Sequence, residues 1–288
     1  MSDILGVTGP RLFVIPARDA PVAVVLRRGP TAWSHVGRWD LTDGTYEAGS
    51  WIKANLYPQR CDLSPDGQWL VYFTARGPGT WDAGSTYIAV SKAPWLTALA
   101  AWGTCGTWTR GAHFADDPSV QELGVPDEGD LGDLVQRYGL AFNRATTFAV
   151  ERRRGWAETA STPVRADHDV WDELRADDVV MEKRRPGGHE VLSARGRFAA
   201  FREGPFPGEA RVTDYRLVDG ARDLALDGAQ WADWTGDGRL LVATVDGHLQ
   251  IRDGDAREVV EAARAVHDVD LSTMQPDPQR PPAAARRR

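Results

Sequence analysis

Short apolar runs that follow Asp-Gly pairs recur along the chain. Gln68–Thr74 (QWLVYFT) and Arg239–Thr244 (RLLVAT) are rich in the β-branched and aromatic residues that favour strands. Each run directly follows an Asp-Gly pair, Asp66–Gly67 in the first case and Asp237–Gly238 in the second. Because Asp-Gly tolerates positive φ, it closes tight hairpins between such runs. The pattern predicts an all-β protein assembled from β-hairpins.

A third segment repeats the same pattern. Glu190–Glu203 (EVLSARGRFAAFRE) has Gly196 where the other two copies have their turn glycine. The step from Gly196 to Gly238 is 42 residues, which is the length of one four-stranded propeller blade. A single four-stranded sheet cannot bury both of its faces, whereas several sheets packed radially can. The spacing predicts a β-propeller.

The residues around these turns also resemble a known class of repeats. Leu63–Tyr72 (LSPDGQWLVY) resembles the Ser-Pro-Asp-Gly core of TolB-type and WD-repeat propellers, and Arg197–Gly220 is similar to the second half of such a repeat. Gly37–Gly44 (GRWDLTDG) and Leu249–Asp255 (LQIRDGD) are similar to WD-type repeat endings. The resemblance covers about two-thirds of the chain. It implies the propeller fold and specifies no activity, because propellers support unrelated functions.

The turn positions divide the chain into five predicted four-stranded blades. The clearest are expected at Arg11–Trp51, His189–Leu226 and Ala229–Glu261. Candidate first hairpin turns lie near five residues: Arg18, Asp66, Asn143, Arg195 and Asp237. The gap of 77 residues between the second and third of these turns leaves room for a sixth blade.

Two segments in that gap differ from the strand pattern. Pro94–Trp102 (PWLTALAAW) is predicted to be a short helix, because Pro begins it and Gly103 follows it. Its large apolar residues would then share one face, packed over a blade edge or available to a partner. Gly106–Phe114 (GTWTRGAHF) is expected to resume the sheet as an outer strand.

The remaining segments complete the predicted organisation. Leu140–Arg154 is expected to form two strands about a short turn, Val179–Arg185 an outer strand, and Arg257–Val266 either a closing strand or a helix. One propeller domain is expected over residues 11–266, after a lead-in over residues 1–10. Residues 267–288 are expected to be a tail, disordered from about residue 276, because Pro276–Arg288 has no apolar periodicity.

Composition and charge exclude several functional classes. The net charge of −7 and the pI of about 5.4 argue against nucleic-acid binding, which calls for a basic face. The first residues contain no basic leader, and no stretch approaches the ~18 apolar residues of a membrane span. With only Cys61 and Cys105, a reducing, cytoplasmic location is expected, without a disulfide. The sequence does not predict the oligomeric state.

The sequence contains few of the motifs that carry chemistry. Its six histidines include no H-x-x-x-H or H-x-H pair, and Asp127–Asp133 lacks the ligand pattern of a calcium loop. There is no G-x-S-x-G elbow, Walker loop or G-x-G-x-x-G motif. We therefore predict no catalytic residue, no metal and no cofactor.

Two functions from different classes are consistent with this chain. The first is a non-catalytic propeller that acts as a protein-interaction or scaffold module. The second is a propeller hydrolase or lyase with an axial pocket, where inner-strand residues would converge. Residues on or near the candidate inner strands are Arg60, Asp62, Arg144 and Asp233. We favour the interaction module because it accounts for the missing catalytic motifs.

An interaction surface is predicted where loops from several blades emerge together. Asp116–Asp133 holds seven acidic residues and no Lys or Arg, and its polar, Gly/Pro-rich composition predicts a long loop. The expected surface combines aromatic anchors with carboxylates of this acidic loop: Tyr57, Trp81, Phe206, Asp116, Asp117, Glu122, Asp127 and Glu128. Aromatic residues are enriched at interface hot spots, and the carboxylates would attract a basic protein partner.

Overall fold

The computed structural model describes residues 9–29, 32–75, 85–104, 106, 111–115, 139–142, 148–164, 174–201, 209–261 and 265–287. Within these ranges, twenty strands form five antiparallel sheets. The α-helices in the same ranges are short, α1 at Ala149–Arg152 and α2 at Ala256–Val260. The predicted all-β class is therefore confirmed.

The chain forms two compact units, each made of three segments. Unit 1 comprises Met1–Phe13, Leu41–Thr45 and Glu151–Met274. Unit 2 comprises Val14–Asp40, Tyr46–Val150 and Gln275–Arg288.

The first sheet has the four strands that the sequence predicts for Arg11–Trp51. Its strands are adjacent in chain order: β1 (Arg11–Pro16), β2 (Val22–Arg28), β3 (Ser34–Asp40) and β4 (Tyr46–Ile52). The first three residues of β1 belong to unit 1, and the rest of this sheet belongs to unit 2. Every residue from Val22 to Arg27 is buried, as expected for a largely apolar strand that is covered on both faces.

Two further sheets of unit 2 share a hydrophobic core. The larger contains β5 (Asn55–Leu56), β6 (Asp62–Leu63), β7 (Trp69–Ala75), β8 (Thr86–Lys92) and β9 (Ala100–Gly103). The smaller pairs β10 (Ala112–Phe114) with β11 (Leu140–Phe142). The buried cluster between them contains Val71, Phe73, Ile88, Val90, Trp102, Ala112, Phe114 and Leu140.

The helix predicted for Pro94–Trp102 is wrong. Backbone groups of this segment bond to distant partners instead of forming i→i−4 hydrogen bonds. The Leu96 N–H donates to Ser50 Oγ at 2.9 Å, and the Leu96 carbonyl accepts from the Tyr72 hydroxyl at 3.1 Å. The segment then enters β9, where Trp102 pairs with Ile88 and is 6% exposed. Burial of the indole in a strand thus outweighs the local helix signals.

Two predicted strands in the same region are also corrected. Within Gly106–Phe114, the described strand Ala112–Phe114 pairs with β11 and is not the outer strand of the preceding sheet, a position taken by β9. The second strand expected in Leu140–Arg154 is replaced by the turn and helix at Phe148–Arg152, where Phe148 is fully buried with φ of 53°. Burial of this aromatic side chain outweighs strand propensity.

Unit 1 contains a five-stranded and a four-stranded sheet. The first contains β12 (Ala157–Val164), β13 (Leu174–Arg184), β14 (Val191–Phe201), β15 (Glu209–Asp219) and β16 (Arg222–Ala225). The second contains β17 (Ala229–Trp234), β18 (Leu240–Thr244), β19 (His248–Arg252) and β20 (Ala265–Asp270). Val179–Arg185 is expected at the outer edge of one blade, but its residues up to Arg184 lie inside the five-stranded sheet as part of β13.

A single side-chain amide links the start of the described chain to the four-stranded sheet of unit 1. The Leu12 N–H donates to Gln230 Oε1 at 3.0 Å. Gln230 Nε2 donates to the carbonyls of Pro10 at 3.1 Å and Thr244 at 2.6 Å. Leu12 and Gln230 are 218 positions apart in sequence, so Gln230 makes a contact that no local pattern predicts.

The Asp-Gly hairpin turns are confirmed, and they share one hydrogen-bond pattern. Gly67 has φ of 72° and Gly238 has φ of 85°. Before the first turn, Ser64 Oγ donates to Asp66 Oδ1 at 2.6 Å and accepts from the Trp69 N–H at 2.9 Å. Thr235 Oγ1 makes the equivalent bonds to Asp237 and from the Arg239 N–H. The Ser or Thr hydroxyl and the Asp carboxylate together fix the turn.

The hairpin turn predicted at Arg195 and Gly196 is wrong. These residues lie within the continuous strand β14, where a β-bulge falls between them. Arg195 occupies the position of the turn aspartate and has no carboxylate to accept the bonds that fix the other turns. Gly196 serves the bulge, a common use of glycine inside strands. The spacing of 42 residues therefore did not measure a repeat.

The C-terminal boundaries also differ from those expected. Arg257–Val266 contains both alternatives, because α2 ends at Val260 and β20 begins at Ala265. An Asp255 capping box stabilises the start of α2. Strand β20 continues to Asp270, beyond the boundary expected at residue 266. In the expected tail, Ala283–Arg286 forms a 3-10 turn in which Ala285 is 3% exposed.

We predict that Gly238→Val lowers the free energy of unfolding by about 1–3 kcal/mol, because a β-branched residue is strained at positive φ. An added Cβ would also lie 2.7 Å from the Pro186 carbonyl oxygen. Gly236→Ala is the matched control, since a Cβ added at Gly236 would meet no atom within 4 Å and the residue has no positive φ. Urea denaturation measures both variants, and equal midpoints would contradict the prediction.

Candidate functional site

Tyr57 is a half-buried aromatic residue that directly follows β5 and is held in one orientation by its neighbours. It precedes the 3-10 turn Pro58–Arg60, and its N–H donates to the Phe73 carbonyl at 3.3 Å. Its ring packs edge-on against Phe73 with centroids 5.3 Å apart. The Arg60 guanidinium lies 4.9 Å from the Tyr57 ring centroid and 5.1 Å from that of Phe73. Tyr57 is therefore held in place and still partly accessible.

The other residues of the predicted interaction surface lie outside the described residues. These are Trp81, Phe206, Asp116, Asp117, Glu122, Asp127 and Glu128. Arg144, one of the inner-strand candidates for an axial site, is likewise outside them.

Asp62 links two sheets of unit 2 through its carboxylate. Its side chain is on β6 and is 2% exposed. Oδ1 accepts from the Leu63 N–H at 3.0 Å, and Oδ2 accepts from the Phe114 N–H at 3.0 Å. Phe114 belongs to β10, so the second bond crosses from one sheet to the next. Both carboxylate oxygens of this predicted axial residue are engaged in structural hydrogen bonds.

Asp233 has the equivalent position in unit 1. It lies on β17, is 2% exposed, and Oδ1 accepts from the Trp234 N–H at 2.7 Å. The same oxygen accepts from Lys183 Nζ at 2.6 Å, across to β13. The Trp234 indole N–H in turn donates to the Lys183 carbonyl at 3.3 Å. The sequence contained a signal for this role, because both aspartates stand two residues before the turn hydroxyl, Ser64 or Thr235.

We predict that Asp62→Asn lowers the free energy of unfolding by about 1–3 kcal/mol. The asparagine amide has one carbonyl oxygen, so its NH₂ group must face one of the two buried backbone donors. Asp227→Asn is the control, since Asp227 is exposed, and it should change stability by less than about 0.5 kcal/mol. Chemical denaturation measures both; a fully stable Asp62→Asn protein would show that the carboxylate does not link the sheets.

A buried polar cluster on the first sheet was not found from the sequence. His35 is 0% exposed, and among the described residues neither of its ring nitrogens has a partner at hydrogen-bonding geometry. Its ring stacks near Trp51, with centroids 4.6 Å apart, and lies opposite Arg27 on the neighbouring strand. The Tyr46 hydroxyl is also buried and has no hydrogen-bond partner within the described part of the chain; it lies over Gly37, where an added Cβ would overlap it. Its neighbours Ser34 and Val36 in β3 are buried as well, so strand alternation does not single out His35, and no motif marks it.

Burial controls the ionisation of this cluster. Desolvation lowers the pKa of His35 to about 4, with the Ser50 backbone offsetting part of the effect and Arg27 adding to it. Desolvation also raises the pKa of Tyr46, and Arg27 opposes that shift. Both side chains are therefore neutral at pH 7. Neutral His35 can act as a packing residue beside the buried Arg27 without electrostatic repulsion.

We predict that His35 makes the fold acid-sensitive. Its folded pKa is below the unfolded value of 6.5, so the unfolded chain binds more protons between those pH values. The stabilisation is complete above pH 6.5 and is lost progressively towards pH 4, by about 3 kcal/mol in total.

His35→Phe should remove this loss of unfolding free energy between pH 6.5 and pH 4, and it should leave the contribution of the carboxylates unchanged. Denaturation measured as a function of pH tests this. His189→Phe is the control for replacing an imidazole by a phenyl ring at a site where the side chain is 75% exposed. Identical profiles for wild type and His35→Phe would contradict the assignment.

Neither a metal centre nor a reactive thiol emerges from the described residues. No group of three or more His, Cys, Asp or Glu side chains in those ranges is arranged to hold a metal ion. Cys61 is a buried free thiol whose pKa burial raises to about 12, and its Sγ donates to the Tyr57 carbonyl at 3.2 Å. Cys105 lies outside the described residues. Among the helices in those ranges, none has the length and apolar character needed to cross a membrane.

Comparison with known proteins identifies no family. No protein-family model matches the chain, and no curated protein sequence does. One similar solved structure is the crystal structure of a eukaryotic initiation factor, with 10% identity and a TM-score of 0.27, covering 94% of this chain and 78% of that one. Another is an acylaminoacyl peptidase in complex with Z-Gly-Gly-Phe-chloromethyl ketone, with 11% identity and a TM-score of 0.25, covering 89% and 40%. Likenesses this weak carry no inference about function.

Proposed function

We propose that the sheets of this chain are blades of a β-propeller and that the chain is a non-catalytic module that binds a protein partner. The observation that supports a binding role most directly is the structural engagement of Asp62 and Asp233. An axial hydrolase or lyase needs inner-strand carboxylates that are free to touch substrate. In this chain the two carboxylates instead hold adjacent sheets together.

The proposed binding surface is organised around Tyr57. A partly exposed aromatic ring that is already fixed by its neighbours loses little conformational entropy on binding. Arg60 and Phe73 hold the Tyr57 ring in this way. Trp81 and Phe206 are the further aromatic anchors of the proposal, which rests on their positions in loops of the predicted topology.

The charge of the chain favours a basic partner. Asp116, Asp117, Glu122, Asp127 and Glu128 lie in a segment without Lys or Arg, and the whole chain carries a net charge of −7. Complementary charge accelerates encounter between partners and makes the association rate sensitive to salt. The aromatic residues would supply affinity, and the carboxylates would supply the association rate.

The proposal predicts that the two groups of residues affect capture differently. Bait variants would be compared by quantitative mass spectrometry of proteins captured from the native host. Trp81→Ala should lower recovery of a specific partner by about 10-fold or more, with an unchanged melting temperature. Neutralising the five loop carboxylates should slow association and remove most of its salt dependence.

The matched control neutralises five exposed carboxylates elsewhere: Glu47, Asp227, Asp246, Asp253 and Glu261. It has the same net charge as the loop variant and should retain the partner. Equal loss of the partner in both charge variants would show that net charge alone drives capture. A partner retained in full by Trp81→Ala would contradict the aromatic surface.

A further inference from the structure

The segment Gln275–Arg287 contacts the rest of unit 2 through a short turn. Ala283–Arg286 forms one 3-10 turn, in which the Ala285 N–H donates to the Pro282 carbonyl at 3.0 Å. The Ala285 side chain is 3% exposed, although the segment has no apolar periodicity. The Ala284 carbonyl accepts a hydrogen bond from Lys92 Nζ at 3.0 Å. This contact joins residues 192 positions apart.

Lys92 belongs to a fixed pair on the sheet surface. It lies directly opposite Trp69 in the β7–β8 register, and its Nζ is 5.4 Å from the Trp69 ring centroid. The Trp69 N–H is held by Ser64 Oγ in the Asp-Gly turn. Trp69 is only partly buried and packs against the buried cluster that contains Val71 and Phe73. Lys92 therefore supplies a cationic donor that is positioned beside a fixed aromatic ring.

The docked turn indicates which ligand chemistry fits the surface around Lys92. Pro282 has φ of −61° and ψ of 159°, the polyproline conformation, which proline adopts at little entropic cost. Of the three alanines that follow, only Ala285 is buried, and the Ala284 carbonyl accepts the hydrogen bond from Lys92 Nζ. Gln275–Arg288 holds four arginines and one aspartate, a net charge of +3 in a chain of net −7. Long-range attraction to the acidic remainder of the chain favours this docking.

We propose that the surface around Lys92 is a peptide-binding site, occupied in this structure by the Pro282–Arg286 turn of the same chain. A partner peptide with the same chemistry, a Pro-Pro-Ala-Ala-Ala turn followed by basic residues, competes for the site. The attached segment has an effective concentration in the millimolar range, so it blocks weaker ligands until it is displaced. The site is distinct from the Tyr57 surface and does not depend on the function proposed for that surface.

The test uses a fluorescently labelled peptide of residues 275–288 and the full chain. Ala285→Asp in the chain should release the attached segment, because the buried methyl group becomes a carboxylate. Fluorescence anisotropy should then show binding of the peptide to Ala285→Asp that is tighter than to wild type by about 10-fold or more. The peptide carrying the same Ala285→Asp change is the negative control and should bind neither protein. A chain that ends at Met274 is a second variant with the site open.

Lysine substitutions then locate the site. Lys92→Met in the Ala285→Asp chain should weaken peptide binding about 10-fold, through loss of a charged hydrogen-bond donor. Lys53→Met is the matched control, since Lys53 is exposed, and it should leave binding unchanged. The proposal would be overturned if the peptide bound neither to Ala285→Asp nor to the chain that ends at Met274. It would also be overturned if the peptide bound equally to wild type and to Ala285→Asp. Unchanged binding in Lys92→Met would overturn its location.

Discussion

The buried aspartate, Asp62 on β6 and Asp233 on β17, is the contact on which the arrangement of neighbouring sheets depends. A carboxylate taken out of water must have its oxygens hydrogen-bonded, or its burial is strongly unfavourable. Asp62 satisfies this requirement with the backbone of β10, and Asp233 with Lys183 on β13. Each aspartate therefore fixes not only its own strand but also the position of the next sheet. Apolar packing alone is less specific, because hydrophobic contacts are not directional.

Local hairpins were the part of the fold that the sequence predicted well. The β1–β4 sheet and the turns at Gly67 and Gly238 followed from short apolar runs, Asp-Gly pairs and strand alternation. Their determinants lie within a few residues of each other, so the sequence pattern contains them. At the candidate site, Tyr57 could be identified as an aromatic beside a turn, but its stacking on Phe73 and Arg60 required the fold.

The wrong predictions have two physical causes, distant partners that outweigh a local signal and a local signal that is incomplete. Pro94–Trp102 has helix-start and helix-end residues. Its backbone nevertheless bonds to Ser50 and Tyr72, and Trp102 pairs with Ile88, so the segment is not helical. Gly196 matched the turn spacing without the turn chemistry, because Arg195 cannot replace an Asx side chain. Residue types around a glycine are thus more informative than its spacing. His35 escaped notice for a related reason, since its burial depends on strands that pair on both sides.

The few polar contacts between distant segments differ in how much of the structure depends on them. Hairpins form their hydrogen bonds locally, whereas Gln230, Asp62, Asp233 and Lys92 each join segments separated by 50 to 220 positions. Three of these side chains are largely buried or bond to several backbone groups, and they hold β-strands to β-strands. Lys92 differs, because it holds a single turn through one hydrogen bond at the surface. A contact of that kind is the easiest of the four to exchange for another ligand, since breaking it leaves the sheets and their buried carboxylates intact.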